Sequence, residues 1–188
     1  MRRPIISEPL TITPTLAGNK VRLRPKRLRD AINDYQWRRD DELCRLDATM
    51  PTNNSFEEYL KLATGTPTYS SQSCHFGIET LDGKHIGNCS YFGIDEAKGE
   101  AEIGIMIGDR AYWSQGYGTD AMLTALNYIF SQTDLKRVYL KTLDWNIRAQ
   151  KCFEKCGFTT CGSLIRGEYS FILMEIRRPD KTQNQAKK

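Results

Sequence analysis

One stretch, Glu100–Phe130 (EAEIGIMIGDRAYWSQGYGTDAMLTALNYIF), limits what this chain can fold into more than any other. Its opening alternates. Ala101, Ile103, Ile105 and Ile107 fall on one face of a strand, and Glu102, Gly104, Met106 and Gly108 on the other. Its second half carries Met122, Leu126, Ile129 and Phe130 at helical spacing, with Ala121 and Ala125 beside them. Between the two lies Gln115-Gly116-Tyr117-Gly118-Thr119, which opens the helix. Such a loop turns several backbone N–H groups toward one point, and the helix N-terminus favours negative charge there. The pattern predicts a phosphate site. A plain strand–turn–helix whose glycines only serve the turn gives the same letters, so the rest of the chain has to decide.

The remaining elements follow in order. Residues 1–18 show no sustained period and read as an extended arm, and VRLRP after Lys20 is a short alternating strand. Leu28 to about Leu46 reads as a helical region with Leu28, Ile32, Tyr35, Leu43 and Leu46 as its apolar residues. Ser55-Phe56-Glu57-Glu58 fits a capping box and starts a second helix, and residues 65–73 form a loop. Cys74–Leu81 and His85–Ile94 are strands joined by Asp82-Gly83, a hairpin signal. After the long helix, Arg137–Leu143 alternates as a strand and Asn146–Lys155 is a short helix closed by Gly157. Phe158–Leu164 and Glu168–Ile176 make a last strand pair around Arg166-Gly167. This order predicts one α+β domain with a mixed, mainly antiparallel sheet flanked by helices. Residues 100–143 should form a right-handed parallel strand–helix–strand crossover. Its loop then lies at the carboxyl end of a strand, where ligands sit in such sheets.

Composition narrows the function classes. A chain of 188 residues suits a single domain, with a folded unit over 19–178 and a basic, disordered tail over 179–188. No apolar run reaches membrane-span length and MRRPIISEP lacks a signal-peptide core, so a cytoplasmic protein is expected. The six cysteines show no CxxC pair; Cys152 and Cys156 can share a helix face, but nothing completes a metal site, and buried reduced thiols are expected. The net charge is +4; the tail holds one negative and three positive charges, so much of the excess is terminal. No aromatic–basic motif of an RNA-binding sheet is present, which ranks nucleic acid last among partners.

Three matches, in the right order and spacing, resemble the GNAT superfamily of N-acetyltransferases. They are VRLRP with its following helix, AEIGIMIGDRAYWSQGYGTDAM, and Trp145-Asn146-Ile147-Arg148-Ala149 continuing through Phe153-Glu154-Lys155-Cys156-Gly157-Phe158. Within that superfamily the chain looks most like the branch of ribosomal-protein alanine and spermidine acetyltransferases. The resemblance implies an enzyme that moves an acetyl group from acetyl-CoA to a primary amine by direct attack in a ternary complex. It implies that the amides of Gln115, Gly116, Tyr117, Gly118 and Thr119 cradle the CoA pyrophosphate. It also implies that Ile105, Met106 and Ile107 lend backbone groups to the pantetheine arm, with Met106 polarising the thioester carbonyl. Asn146 matches the family's asparagine beside the pantetheine, and a plain N-cap is an equally good use for it. Trp113 stands where the family often has Gln or Arg, as is common in this branch. Phe153 stands where many members carry a proton-donating tyrosine.

Glycines 104 and 108 agree with close approach by something other than a neighbouring strand. Glu102, on the face of Gly104 and Met106, is the candidate base, against the plainer reading of a solvated strand carboxylate. The acceptor amine is expected near the helices between Leu28 and Leu62 and the loops at Tyr91 and Tyr169. There Trp37, Asp40, Asp41 and Glu42 either form an acidic, aromatic patch or merely balance Arg38 and Arg39. His75 and His85 are expected to be structural or exposed, no metal is expected, and homodimerisation stays open. Because of Phe153, a CoA-binding module without catalysis is the rival function.

Overall fold

Among the described strands, every pairing but one is antiparallel. The computed structural model describes residues 14–65, 69–70 and 72–179. Among them the strands are β1 (Leu16–Ala17), β2 (Val21–Pro25), β3 (Tyr69–Ser70), β4 (Ser73–Thr80), β5 (His85–Asp95), β6 (Glu100–Ile107), β7 (Arg137–Leu143), β8 (Thr159–Arg166) and β9 (Tyr169–Arg177). The sheet runs β1-β2-β4-β5-β6-β7-β9-β8, with β3 beside β4. Only β6 and β7 are parallel, as the strand–helix–strand order requires. The helices are α1 (Ala31–Arg38), α2 (Asp41–Leu46), α3 (Phe56–Gly65), α4 (Tyr117–Gln132) and α5 (Ile147–Lys155). None of the described helices is long and apolar enough to cross a membrane. The fold is the expected α+β class. Residues 1–13 of the arm and the tail from 180 lie outside the described residues, while Leu16–Ala17 pair with β2 and so belong to the sheet.

α4 packs its Ala121, Met122, Ala125, Leu126 and Ile129 against one sheet face, beside Leu23, Ile78 and Ile103. Burying each of the larger side chains is worth about 1.5–3 kcal/mol against leaving it in water. The capping box at Ser55 forms: Glu58 N–H donates to Ser55 Oγ at 3.3 Å and Ser55 N–H to Glu58 Oε2 at 2.7 Å. The helical region at 28–46 differs from expectation. Asp40 is extended and its side chain accepts from Leu43 N–H at 2.9 Å, so it caps a new helix and divides the region into α1 and α2. Leu28 and Ile32, expected to face inward, are 69% and 54% exposed, whereas Ala31, Asp34 and Trp37 are buried. The cysteines also split: Cys44, Cys74, Cys89 and Cys156 are buried, Cys152 is half-buried and Cys161 is exposed.

The face opposite α4 holds a buried charge network. Arg24 is 1% exposed, with Nε on Glu79 Oε2 at 2.8 Å and Nη2 on Asp30 Oδ1 at 2.9 Å. Arg27 N–H also donates to Asp30, at 2.7 Å, which ties the start of α1 to the sheet. Gly77 leaves the room for Arg24, since a Cβ there would stand 2.5 Å from Nη1. Burial pushes the Asp30 and Glu79 carboxyls upward, but hydrogen bonds and charge from Arg24 outweigh it and hold both below the usual range. Burial lowers His85, against the pull of Asp30 at 3.7 Å.

Each of these groups binds protons less readily folded than unfolded. Their stabilisation is therefore complete above the unfolded values, about 6.5 for His and about 4 for the carboxylates, and is lost as pH falls through the lower folded values. The urea midpoint should fall progressively between pH 7 and pH 3; a constant midpoint over that range would remove the network from the stability account.

Candidate functional site

β6 and β7 pair at only three positions, Glu100–Arg137, Ala101–Val138 and Glu102–Tyr139. Beyond Glu102 they part. β6 stays with β5 as far as Ile107–Gly87, and β7 stays with β9 as far as Leu143–Phe171. The edge of β6 from Ile103 onward faces no strand among the described residues. Into this gap open the start of α4 and one side of α5, around a cavity of about 540 Å³. Ile105, Met106 and Ile107 line it from the strand, Gly116, Gly118 and Thr119 from the loop, and Asn146, Cys152 and Phe153 from α5. Leu43 and Leu46 of α2 reach it as well.

The backbone direction at this edge follows from the ladder. Gly108 N–H donates to Ile86 on β5, while the Ile107 carbonyl turns the other way and accepts from Trp113 Nε1 at 2.6 Å. Alternation then directs the Met106 N–H toward its partner Asn88, and those of Ile105 and Ile107 toward the gap. The Met106 N–H, expected to polarise a carbonyl, is thus turned to β5, and the N–H groups that face the gap are those of Ile105 and Ile107.

At the loop, Gly116 caps α4 in the left-handed region (φ 87°), offers no side-chain acceptor, and is preceded by Ser114 at φ 59°. The first intrahelical bond runs from Asp120 N–H to Gly116 O, so the N–H groups of Tyr117, Gly118 and Thr119 have no acceptor within the helix. Gly118 brings α4 close to both neighbours: a Cβ there would lie 3.6 Å from Cys152 Sγ and 3.6 Å from Ile107 Cγ1. Asp120 anchors the turn before β2, accepting N–H groups of Asn19, Lys20 and Val21 at 2.8–3.1 Å.

Gln115 turns its side-chain amide onto the Ala111 carbonyl, and its own carbonyl accepts from Lys20 Nζ at 3.0 Å. The Tyr117 ring meets Tyr112 edge-on at 4.9 Å. Asn146 Oδ1 accepts from Ala149 N–H at 3.2 Å, an N-cap inside the cavity wall. Phe153 lines the same wall and packs on Phe158. Cys152 does so too, with Sγ 3.4 Å from Thr119 Oγ1. Hydrogen bonding from Cys156, and then from Thr119, draws its thiol down to about 6 against the effect of burial. Glu102 keeps to the face of Gly104 and Met106 but pairs with Lys141 Nζ at 3.0 Å, outside the cavity lining.

Three expectations are corrected. The close neighbour of Gly108 is Trp37, whose ring a Cβ would meet at 2.1 Å; Gly104 has nothing nearer than 3.7 Å. The patch around Trp37 dissolves, because Trp37 is buried and Asp40 and Glu42 pair with Arg110 rather than with Arg38 or Arg39. Tyr91 is a buried strand residue, not a loop residue. Sequence reasoning also passed over Arg148, which stacks on Trp113 at 3.5 Å, and Gly18, where a Cβ would stand 2.4 Å from Asp120. Neither has a local signal, since both contacts join distant segments.

Residues 20–159 match the family model described as an acetyltransferase (GNAT) domain. An uncharacterized N-acetyltransferase of Bacillus licheniformis, p20, is 27% identical over 152 residues, 80% of this chain and 85% of that one. Two solved structures share the fold. Spermidine N-acetyltransferase from Vibrio cholerae, with CoA and spermine, superposes with a TM-score of 0.74 at 22% identity, covering 84% of this chain and 95% of that one. RimJ from Mycobacterium smegmatis, with CoA-disulfide, gives 0.75 at 21%, covering 88% of each. The parted strands and the open helix start therefore lie inside a segment that matches as a whole, and the chain belongs to the GNAT family of acetyltransferases.

Proposed function

We propose that the cavity binds acetyl-CoA and that the chain transfers its acetyl group to a primary amine within a ternary complex. The observation that carries this reading is the meeting of two sets of unspent backbone groups at one cavity. The first is the N–H groups of Tyr117, Gly118 and Thr119, with Gln115 and Gly116 leading into them; the second is the free edge of β6. The first set suits a pyrophosphate, and the second suits an extended amide-bearing arm that pairs with Ile105 and Ile107 as an added strand. Asn146 stands beside that arm. CoA in structures of the same fold supports the same ligand here.

In the transfer, the amine nitrogen attacks the thioester carbonyl carbon, the C–S bond breaks, and the CoA thiolate departs. An N–H of the free edge, at Ile105 rather than Met106, would stabilise the developing oxyanion. Holding both reactants in one cavity supplies much of the acceleration. Phe153 cannot donate a proton, and the Cys152 thiol is engaged in hydrogen bonds with Cys156 and Thr119 that favour its ionised form. The thiolate therefore leaves as such, which a group ionising at about pH 8.5 can do. Glu102 takes the proton of the amine through water, with Lys141 fixing its orientation. The acceptor class stays among protein N-termini, polyamines and small amines such as aminoglycosides. Phe153 favours one rival, a CoA-binding module without turnover.

Thiol release from acetyl-CoA, measured across a panel of these amines, should rise with at least one of them. Binding of acetyl-CoA without release for any would select the rival. Gly118→Ala fits at ordinary contact distance and should keep both fold and binding, whereas Gly118→Val crowds Cys152 and Ile107 and should raise the dissociation constant by about tenfold or more. Unchanged titration curves for the valine variant would take the loop out of the site. Glu102→Gln should slow turnover by about 10²-fold with cofactor affinity retained; wild-type rates at every pH would retire Glu102 as the base.

A further inference from the structure

The sheet face opposite α4 carries a row of positions in register across β4, β5 and β6. His75 pairs with Ser90, and Ser90 with Gly104. Their chain neighbours Phe76, Cys89 and Ile103 are buried in the core under α4, so alternation turns His75, Ser90 and Gly104 the other way. Adjacent strands lie about 4.8 Å apart, so the row spans about 10 Å with Ser90 at its middle. A Cβ at Gly104 would stand 4.0 Å from Ser90 Oγ, which puts the hydroxyl beside the bare glycine. Gly104 itself lies on the unpaired edge of β6, next to the Ile105 N–H that faces the gap.

The charged side chains around this row are spent on one another. Arg24 holds Glu79 and Asp30, Lys26 and Asn88 hold Asp34, and Lys141 holds Glu102. His75 and Ser90 are half-buried and have no side-chain hydrogen bond or ion pair among the described residues. Among those residues the one fully buried side-chain nitrogen or oxygen without a hydrogen bond is Arg22 Nε, so the His75 ring nitrogens and Ser90 Oγ are open to water. Burial and the charge of Lys26 lower the His75 imidazole from its ordinary value of 6.5, which leaves it neutral at pH 7 and able to accept a proton. The ionisable groups of the surrounding elements are Lys26, held by Asp34 of α1, whose charge also reaches Tyr59 of α3, and Glu102 of β6, held by Lys141 of β7.

Resting on the acetyl-transfer reading above, we propose that Ser90 and His75 form a proton relay that takes the first proton from an acceptor ammonium arriving over Gly104. A primary amine at pH 7 arrives charged and loses two protons during transfer, one to free its lone pair and one after it has attacked the carbonyl. In the first step an N–H bond of the ammonium breaks and its electron pair stays on nitrogen. Ser90 Oγ takes that proton while its own passes to a ring nitrogen of His75, and the imidazolium then releases it to water. The freed amine attacks, the CoA thiolate leaves, and Glu102 receives the second proton through water. Gly104 keeps the approach open, since without a Cβ the nitrogen can reach Ser90 and a carbonyl held at Ile105 from the same place.

Steady-state rates against pH test the relay, with whichever of spermidine, kanamycin and an alanine-terminated peptide the wild type acetylates fastest. Ser90→Ala and His75→Gln should each lower kcat/KM for the amine about 10²-fold at pH 7, with acetyl-CoA titration curves unchanged. The deficit should shrink as pH rises through the amine's own value, about 8 for a peptide terminus and about 10 for a polyamine, because the amine then sheds its proton unaided. Ser90→Thr keeps the hydroxyl and should retain most of the rate. If one variant loses acetyl-CoA binding through misfolding, the other decides. Wild-type kcat/KM at pH 7 in the variants that bind acetyl-CoA, or a deficit of the same size at every pH, overturns the relay while leaving acetyl transfer in place. Failure of the wild type to acetylate any of the three amines overturns the transfer reading itself, and the relay with it.

Discussion

The parting of β6 and β7 after Glu102 is the constraint on which the rest of the structure depends. β6 is held on one side along almost its whole length by β5, and its end is fixed where Trp37 lies over Gly108. β7 is held on its far side by β9 along all of its length. Two strands each committed to an outer neighbour, and zipped to each other for three residues, leave a wedge of backbone without a strand partner. Unmade backbone hydrogen bonds in a buried place cost about 1–3 kcal/mol each. The protein meets part of that cost itself, since the Trp113 indole takes the Ile107 carbonyl. The other edge groups at Ile105 and Ile107 face the cavity, which is where an amide-bearing ligand gains most.

The same wedge explains the placement of the helices. α4 must run back over the sheet to bring β7 parallel to β6, so its N-terminus opens at the carboxyl end of β6 and its unpaired amides face the gap. Asp120 ties that N-terminus to the turn before β2, which carries Lys20 to the loop. α5 then closes the wedge from the β7 side, capped by Asn146 and lined with Phe153 and Cys152. The groups proposed to hold the donor are thus mostly backbone, and backbone geometry tolerates wide change in side chains. That agrees with a fold kept at 21–22% identity to its solved neighbours. The side chains proposed for proton handling are individual ones, with Phe153 in the wall where the resemblance implies a tyrosine and Glu102 tied to Lys141.

Much was legible from local pattern. The alternation of Glu100–Gly108, the helical stripe from Ala121 to Phe130, the Asp82-Gly83 hairpin and the Ser55 capping box all appear in the structure, because each is decided by residues within one or two turns of one another. Where the reading failed, a distant partner had intervened. Leu28 and Ile32 fit a helical stripe, yet α1 turns Asp34 and Trp37 inward, where Asp34 meets Lys26 just past β2 and Asn88 on β5, and Trp37 meets Gly108 just past β6. Asp40 and Glu42 looked free to bind a cation or to balance their arginine neighbours; Arg110, about seventy positions away in sequence, holds both.

The sequence by itself determined the order and type of the elements, the glycine loop at the start of α4, and the family to which their spacing belongs. Periodicity and turn chemistry act over a few residues and survive without tertiary contacts. Only the tertiary structure decided how far β6 and β7 stay paired, which amides of β6 face the gap, and which polar side chains of the sheet keep no partner among the described residues. Those depend on strand register and on contacts between segments far apart in the chain, and no local pattern encodes either one.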